Sequence, residues 1–303
     1  MKTSTSKRLR WNVAIWLAAG LFMTSTAGMA SGPILPDPKA EARHQPQVEE
    51  TANGIPLVNI TAPSSGGVSR NEYETFNVPD KGAILNNSYT LSKTELAGYV
   101  QGNNNMAERP AKIIVNEVTG AGSTSMDGFL EVAGNRADVV IANPNGITVN
   151  GGGFINTGKA FLTTGKPVYD GEDHLQRFDI TGGDILIEGK GLGGKETESL
   201  AILSRAVKIN AGIWAKDLHI TTGANTVDAK TLEASAIEGK GGRPAFALDT
   251  AAIGGMYAGR ITLVGTEKGL GVNNSGTWSA EDNLTLDWNG DLKNSGTIYS
   301  KGN

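Results

Sequence analysis

A four-residue repeat near the C-terminal end restricts the possible folds of this chain more than any other feature. Asn274-Ser-Gly-Thr recurs 20 residues later as Asn294-Ser-Gly-Thr, and a weaker copy, AGIWAKDLHI from Ala211, aligns with SGTWSAEDNLTL from Ser275. An interval near 20 residues suits one solenoid coil, which needs about three strands of roughly five residues and their turns. Leucine-rich repeats have a similar length, but their spaced Leu and helix-forming face are missing from this sequence. The repeat therefore predicts a parallel β-helix.

Short apolar runs separated by Gly, Asn and Asp make up the chain from Gly54 onward. The 303 residues include 41 Gly, nearly twice the ~7% share of ordinary proteins, which favours turns and strands. The clearest runs are GIPLVNITAP, AKIIVNEVTG, ADVVIANPNG, GGDILIEG, RAVKINAG, KDLHITTG and AGRITLVG. Each run has the length of a strand and each interruption has turn chemistry. Only Ser92–Val100 offers a possible helical turn.

Stacked coils place like residues side by side, so apolar positions should form interior rows and turn asparagines should hydrogen-bond along the stack. The sequence stops partway through a repeat at Asn303. A bare last coil would expose unpaired strand edges, so we expect these residues to begin a longer protein. A short protein with a frayed end is the alternative.

Residues 1–30 have the pattern of an export signal. A basic start is followed by an apolar stretch, Val13–Met23, that is shorter than the about 20 residues of a membrane-spanning helix, and then by small residues. The basic residues are Lys2, Lys7, Arg8 and Arg10. We expect cleavage after Ala27 or Ala30; an uncleaved anchor is the alternative.

Removing the four positive charges of residues 1–30 takes the formal net charge from −4 to −8. This charge argues against nucleic acid as a partner. The chain has no Cys, either through drift in composition or because a disulfide-closed loop would obstruct passage of an unfolded chain through a pore. Residues 31–53 carry four Pro and mixed charge, which predicts a solvated, polar lead-in.

A turn with a reason for each residue lies in ANPNGI. Asn143 can close an Asx-type hydrogen bond, and Pro144 presets φ at the second turn position. Asn145 tolerates the third position, and Gly146 suits a positive φ. The turn follows an apolar run and precedes Ile147, so it should link two coil strands. A phosphate-binding loop is excluded because the segment has neither dinucleotide-loop spacing nor a Lys-Ser/Thr pair opening a helix.

The chain resembles a known family, the N-terminal secretion domain (TPS, or haemagglutination activity, domain) of two-partner secretion exoproteins. Filamentous haemagglutinin and contact-dependent growth inhibition effectors belong to that family. The matching segments are NGIPLVNI (Asn53–Ile60), ILNNS (Ile84–Ser88), IVNEVTG (Ile114–Gly120), GFLEVAGNRADVVIANPNGITVNGGGFINT (Gly128–Thr157), LTTGKP (Leu162–Pro167) and GGMYAGRI (Gly254–Ile261).

The resemblance implies two Asn-Pro-Asn secretion motifs. The second is intact at Asn143–Ile147. The first falls at Asn103, Asn104, Asn105 and Met106, where Asn104 replaces the expected Pro. Loss of the preset φ predicts a looser turn and puts the role of this motif in secretion in doubt. Some growth-inhibition effectors have a Cys pair where this chain has Gly151 and Gly152.

The resemblance also implies the fold, the domains and the partners. We expect an all-β, right-handed parallel β-helix with capping strands and short extra-helical β elements. Residues 54–270 would be the secretion domain, and residues 271–303 the start of fibre repeats. The chain would cross the periplasm and outer membrane of a Gram-negative bacterium, through a β-barrel transporter with periplasmic accessory domains, to the surface or medium. Regions outside this chain could bind a receptor on host or neighbouring cells.

A β-helix enzyme acting on polysaccharides is the alternative function, since such enzymes need clustered carboxylates. The densest group is Asp170, Glu172, Asp173 and His174, in a polar loop typical of solvated surface. Asp287 and Asp291 resemble turn residues. The three His are scattered and no Gly-x-Ser-x-Gly elbow opens a helix. We therefore predict no catalytic, cofactor-binding or metal-binding residue, and a protein that is not an enzyme.

Overall fold

The computed structural model describes residues 32–302 except Glu108. Strands account for nearly all of its regular structure. The first ten are β1 (Ile34–Pro36), β2 (Gln47–Glu50), β3 (Pro56–Asn59), β4 (Val68–Phe76), β5 (Ala83–Asn87), β6 (Ser92–Thr94), β7 (Gly98–Val100), β8 (Ile113–Val118), β9 (Thr124–Met126) and β10 (Phe129–Gly134). The next ten are β11 (Ala137–Ala142), β12 (Ile147–Val149), β13 (Gly152–Ile155), β14 (Thr157–Thr163), β15 (Lys166–Tyr169), β16 (Leu175–Ile180), β17 (Asp184–Ile187), β18 (Leu192–Gly194), β19 (Ser199–Ser204) and β20 (Ala206–Ile209). The last ten are β21 (Gly212–Thr222), β22 (Asn225–Asp228), β23 (Ala234–Ala236), β24 (Phe246–Thr250), β25 (Gly255–Gly265), β26 (Gly271–Asn274), β27 (Thr277–Ala280), β28 (Leu284–Trp288), β29 (Leu292–Asn294) and β30 (Thr297–Ser300).

Three parallel ladders run along one stack of coils. The first ladder contains β3, β5, β10, β13, β18, β21, β25, β27 and β30. The second contains β4, β8, β11, β14, β19, β21, β25 and β28. The third contains β9, β12, β17, β20, β24, β26 and β29. The 11-residue strands β21 and β25 pass through the corner between the first two ladders without a break.

The predicted fold class, an all-β parallel β-helix, is confirmed, and each quoted apolar run contains a strand. The side chains that point inward form one continuous hydrophobic core along the axis. Coil stacking of this kind buries apolar rows that a single coil would leave exposed. No described helical segment is long and apolar enough to cross a membrane.

The alignment of the weak repeat copy was wrong by one residue. Trp214 does not lie beside Trp278; it pairs through Tyr257 with Ser279, whereas Ile213 shares the ladder position of Trp278. A one-residue shift moves a strand side chain to the opposite face of the sheet. Trp278 is therefore fully buried in the core while Trp214 lies on the outer surface and is half-buried.

The turn asparagines of the clear repeat stack as predicted. Asn274 and Asn294 share a ladder position in the third ladder, and Nδ2 of Asn274 donates to Oδ1 of Asn294 at 2.9 Å. Ser275 and Ser295 place their Oγ atoms 3.1 Å apart. The ladders run without interruption across residue 270, so the boundary that we placed there stays a prediction.

Most of residues 32–53 are exposed, in keeping with a polar lead-in, but the segment also forms paired strands. β1 pairs antiparallel with β4, β2 pairs antiparallel with β3, and a short 3₁₀ helix, Ala42–His44, lies between them. Ile34 and His44 are buried. The segment caps the first coil and covers strand edges that would otherwise be open.

Two β elements lie outside the coils. The four-stranded antiparallel sheet β15, β16, β22 and β23 covers the second ladder and encloses a separate hydrophobic cluster around Phe161 and Phe178. Ser92–Val100 forms the hairpin of β6 and β7 instead of a helical turn. Both oxygens of the buried Glu131 carboxylate accept backbone N–H groups from the tip of this hairpin, at Glu95 and Leu96.

Candidate functional site

The intact Asn-Pro-Asn segment forms the predicted turn between β11 and β12. The N–H of Gly146 donates to the carbonyl of Asn143 at 3.1 Å. Oδ1 of Asn143 accepts the N–H of Asn145 at 2.9 Å, which is the expected Asx bond. Gly146 has φ +110°, a conformation that side-chain-bearing residues rarely adopt. Ile147 then begins β12 with its side chain in the core.

The Asn143 side chain also ties this turn to the preceding coil. It is fully buried, and Nδ2 donates to the carbonyl of Gly122 at 2.9 Å and to Oγ1 of Thr124 at 3.0 Å. The exposed Asn145 donates from Nδ2 to the carbonyl of Gly120 at 2.8 Å. Asn143 therefore closes the turn with its own side chain. The side chains of Asn143 and Asn145 both bond the turn to the residues just before β9.

The degenerate first segment makes the same set of bonds. Oδ1 of Asn103 accepts the N–H of Asn105 at 3.0 Å, and the N–H of Met106 donates to the Asn103 carbonyl at 3.1 Å. Nδ2 of Asn103 donates to the carbonyls of Ile60 and Asn86 at 2.8 and 3.0 Å. Met106 takes the turn position of Gly146, and its side chain is buried in the core, as that of Ile147 is after the second turn.

The first turn has Asn104 in place of proline and still makes these hydrogen bonds. Asn104 is exposed, as Pro144 is, so neither side chain contributes to the buried contacts. The closing bonds of the two turns agree in length within 0.1 Å, at 3.0 and 2.9 Å for the Asx bonds and 3.1 Å for both turn bonds. Looser dynamics of the first turn stay a prediction.

In the carboxylate-rich loop Asp170–His174, the Asp170 carboxylate is bonded within the loop. Oδ1 of Asp170 accepts the N–H groups of Glu172 and His174, and Oδ2 lies 2.9 Å from Nδ1 of His174. The backbone N–H of His174, followed by its ring, holds the pKa of the Asp170 carboxyl below its usual range. Asp173 pairs with Arg43 of the lead-in at 2.8 Å. These contacts describe a closed turn that binds the lead-in.

Asp287 and Asp291 lie far from that loop in the chain and differ from each other. Asp287 is an exposed residue within β28, so the prediction of a turn residue was wrong there. Asp291 lies between β28 and β29, as predicted, and its carbonyl accepts the N–H of Val272. Ala27 and Ala30, the predicted cleavage sites, lie outside the described residues.

A polar cluster that sequence spacing could not reveal fastens the lead-in to the coils. Nη2 of Arg70 lies 2.8 Å from Oε1 of Glu72 and 3.4 Å from Oε2 of Glu117. Nδ1 of His44 lies 3.1 Å from the same Glu72 oxygen. The Arg70 guanidinium also lies 4.5 Å from the ring centre of Tyr169. These five residues, which we call the lead-in clamp, come from four separate segments.

Burial shifts the pKa values of two clamp residues, Glu117 and His44, in opposite directions. It raises the pKa of Glu117, against the opposing effect of Arg70, because a charged carboxylate is poorly solvated there. The 3.4 Å contact lacks hydrogen-bond geometry, so Oε2 of Glu117 has no hydrogen-bond partner. Burial, together with Arg70, lowers the pKa of His44.

The chain is similar to known proteins in family, in sequence and in structure. The family model described as the TPS secretion domain matches residues 33–298. A protein of Yersinia pestis named Toxin CdiA is 43% identical over 297 residues, covering 90% of this chain and 9% of that protein. A 16S rRNA endonuclease CdiA of Enterobacter cloacae is 46% identical over 249 residues, covering 81% of this chain and 8% of that protein.

A solved structure has the same fold. The crystal structure of the filamentous hemagglutinin secretion domain superposes with a TM-score of 0.76 at 31% identity, covering 89% of this chain and 96% of that one. The chain thus spans about a tenth of the length of these two curated relatives, yet nearly all of that solved domain.

Proposed function

This chain belongs to the TPS secretion domain family, and from that premise we propose how its coils and asparagine turns serve secretion. The domain is the secretion-targeting module of an exoprotein of the CdiA and filamentous haemagglutinin type. Its partner is an outer-membrane β-barrel transporter, which we propose binds the chain through periplasmic accessory domains. The route then runs through periplasm and outer membrane to the cell surface.

The order of the coils carries the proposal. In the first ladder, each strand from β10 to β27 pairs with the strand of the coil before it and with the strand of the coil after it. A pore of modest strand number cannot pass such a stack, so the chain crosses unfolded. Coils that form outside in chain order bury apolar area one at a time, and this makes return through the pore unfavourable.

We assign the two asparagine turns to the start of that folding. Each fixes the angle at which the chain enters a coil, and each side chain bonds to a segment that left the pore earlier, Ile60 for Asn103 and Gly122 for Asn143. Both bonds therefore form between neighbouring coils as the second one arrives. The turns act as folding templates for the coils behind them.

The domain itself does no catalysis in this proposal. In the densest carboxylate group, Asp170–His174, the Asp170 carboxylate is bonded within its own turn and the Asp173 carboxylate pairs with Arg43. The activity of the whole protein, whether adhesion, lysis or toxin delivery, would reside in regions outside this chain. Those regions would also bind the receptor on host or neighbouring cells.

The test is export of the chain with and without a cognate transporter. We expect the chain in the medium or at the surface only when the barrel is present, and protease-sensitive chain in the periplasm when it is absent. Appearance outside without the transporter, or periplasmic retention despite it, would contradict the proposal.

A matched pair of variants separates folding from other roles of the turn. Asn143→Ala removes the buried turn side chain, and Ile185→Ala removes a fully buried core side chain at a typical cost of about 2–5 kcal/mol. If the turn acts through folding, export falls with the measured loss of stability in both variants. Normal export of Asn143→Ala would refute the role given to the turn.

A further inference from the structure

An aromatic row follows the outer face of the first ladder. One ladder position carries, in successive coils, Phe129, Gly153, Gly193, Trp214, Tyr257, Ser279 and Tyr299. Phe129, Tyr257 and Tyr299 are 44%, 39% and 50% exposed. The four aromatic residues in this row span six strand spacings, ~29 Å at ~4.8 Å each. Aromatic rings therefore recur along this length of the outer surface of the first ladder.

Glycines form the floor between the first two rings of this row. A Cβ on Gly153 would lie 2.4 Å from the Phe129 ring, so the ring leans over the neighbouring strand. Trp214 leans back over Gly212, where a Cβ would lie 2.4 Å from the indole. Between the two rings lies a cavity of about 320 Å³ with Gly193 at its base. A second cavity of about 510 Å³ continues past Tyr257.

The rim of these two cavities carries equal numbers of positive and negative side chains. Lys195 and Glu196 border the first, and Lys195, Lys216 and Glu281 border the second. All four side chains are exposed, and none takes part in an ion pair within the described part of the chain. Two positive and two negative groups along a groove match a neutral ligand rather than a polyanion.

We propose that this groove, lined by Phe129, Gly193, Trp214 and Tyr257, binds a neutral linear polysaccharide. Flat aromatic faces suit the apolar faces of sugar rings, and the rim groups can exchange hydrogen bonds with hydroxyls. The nearly parallel rings of Trp214 and Tyr257, with centroids 6.1 Å apart and planes 15° apart, provide the central platform.

Other occupants fit the groove less well. An extended peptide that adds a strand needs a free sheet edge, and the backbone groups here are already paired on both sides in the first ladder. A polyanion needs a positive surface, which the balanced rim does not provide. The Phe129 ring packs over Gly153 of the next coil, yet 44% of Phe129 remains exposed, so packing between coils leaves part of this apolar surface open to a ligand.

The experiment is isothermal titration of the purified full chain with cellohexaose, chitohexaose and a heparin hexasaccharide. We expect at least one neutral hexasaccharide to bind and heparin to bind more weakly. Trp214→Ala should weaken binding at least tenfold. Tyr99→Ala, which removes an exposed aromatic side chain from the β6–β7 hairpin, should leave it unchanged.

A groove-filling variant separates binding from folding. A Cβ on Gly193 would meet its nearest atoms at 3.8 to 4.0 Å, which is ordinary contact, so Gly193→Val keeps every aromatic ring and fills the floor. We expect it to abolish binding without moving the urea midpoint. Binding of neither neutral hexasaccharide, binding that survives both Trp214→Ala and Gly193→Val, or a preference for heparin would each overturn the proposal.

Discussion

Replacing the buried turn asparagine by alanine is the sharpest test of how the coils are held together. Asn143→Ala removes four hydrogen bonds: to the carbonyl of Gly122, to Oγ1 of Thr124, and from the backbone N–H and the side-chain Nδ2 of Asn145. At about 0.5–1.5 kcal/mol each, the bonds are worth roughly 2–6 kcal/mol. Gly122 and Asn145 are exposed, so water can replace three of these contacts, whereas the buried Thr124 hydroxyl loses a partner. We expect a loss of about 3 kcal/mol.

Urea unfolding followed by circular dichroism measures this loss. In thermal unfolding it corresponds to a fall in Tm of roughly 6–12 °C. Asn145→Ala is the matched control, because that side chain is exposed and donates only from Nδ2, to the carbonyl of Gly120 at 2.8 Å and to Oδ1 of Asn143 at 3.1 Å. We expect the control to cost less than ~1 kcal/mol. A loss below ~1 kcal/mol for Asn143→Ala, or equal losses for both variants, would refute the assignment of coil contact to the buried side chain.

Three further predictions concern other parts of the fold. Asn104→Pro should raise the free energy of unfolding by about 0.4–1 kcal/mol, since the first turn has the bonds of the second and proline restricts the unfolded chain; an unchanged or lower urea midpoint would contradict this. Because the folded pKa of Glu117 is raised, its stabilising effect is complete below its unfolded value, about 4.3, and is lost as pH rises through the folded value. Glu117→Gln should therefore match the wild type near pH 4 and exceed it at pH 7 in urea unfolding, and a less stable variant at pH 7 would argue against this sign. Arg205→Ala breaks a double contact with Glu267, with both N–O distances 3.0 Å, and should cost about 3–5 kcal/mol; limited proteolysis should then cut near Lys240 and Gly242, whose carbonyls Arg205 also binds.

The coil strands within the apolar runs of the sequence analysis were predictable because each of those runs carries its own signal. An apolar run such as Val139-Val140-Ile141 is strand-sized, and the following turn contains residues whose conformational preferences fit each position. The contacts of Asn143 within its turn followed from the same local chemistry. The sequence predicted that turn asparagines would bond along the stack, but not that Asn143 would bond to Gly122. The partner depends on which segment of the neighbouring coil lies beside the turn.

Register and long-range antiparallel pairing were not predictable in this way. The Trp of AGIWAKD and the Trp of SGTWSAE match by letter, yet Trp214 faces outward and Trp278 inward, because Ile213 and not Trp214 occupies the buried position. The lead-in looks solvated by composition, but β1 pairs with a strand some forty residues later. The lead-in clamp joins four separate segments, and the spacing of residues within any one segment does not predict that these side chains come together.

The direction of the ladder hydrogen bonds has a mechanical consequence. In stacked coils these bonds lie along the long axis, so a pull on the two ends loads them in a line and opens them one coil at a time. The interval between Asn274 and Asn294 is 20 residues, which at ~3.3 Å per residue releases ~65 Å of slack for each coil that peels away. Under tension, such a stack lengthens one coil at a time and does not unfold in a single event.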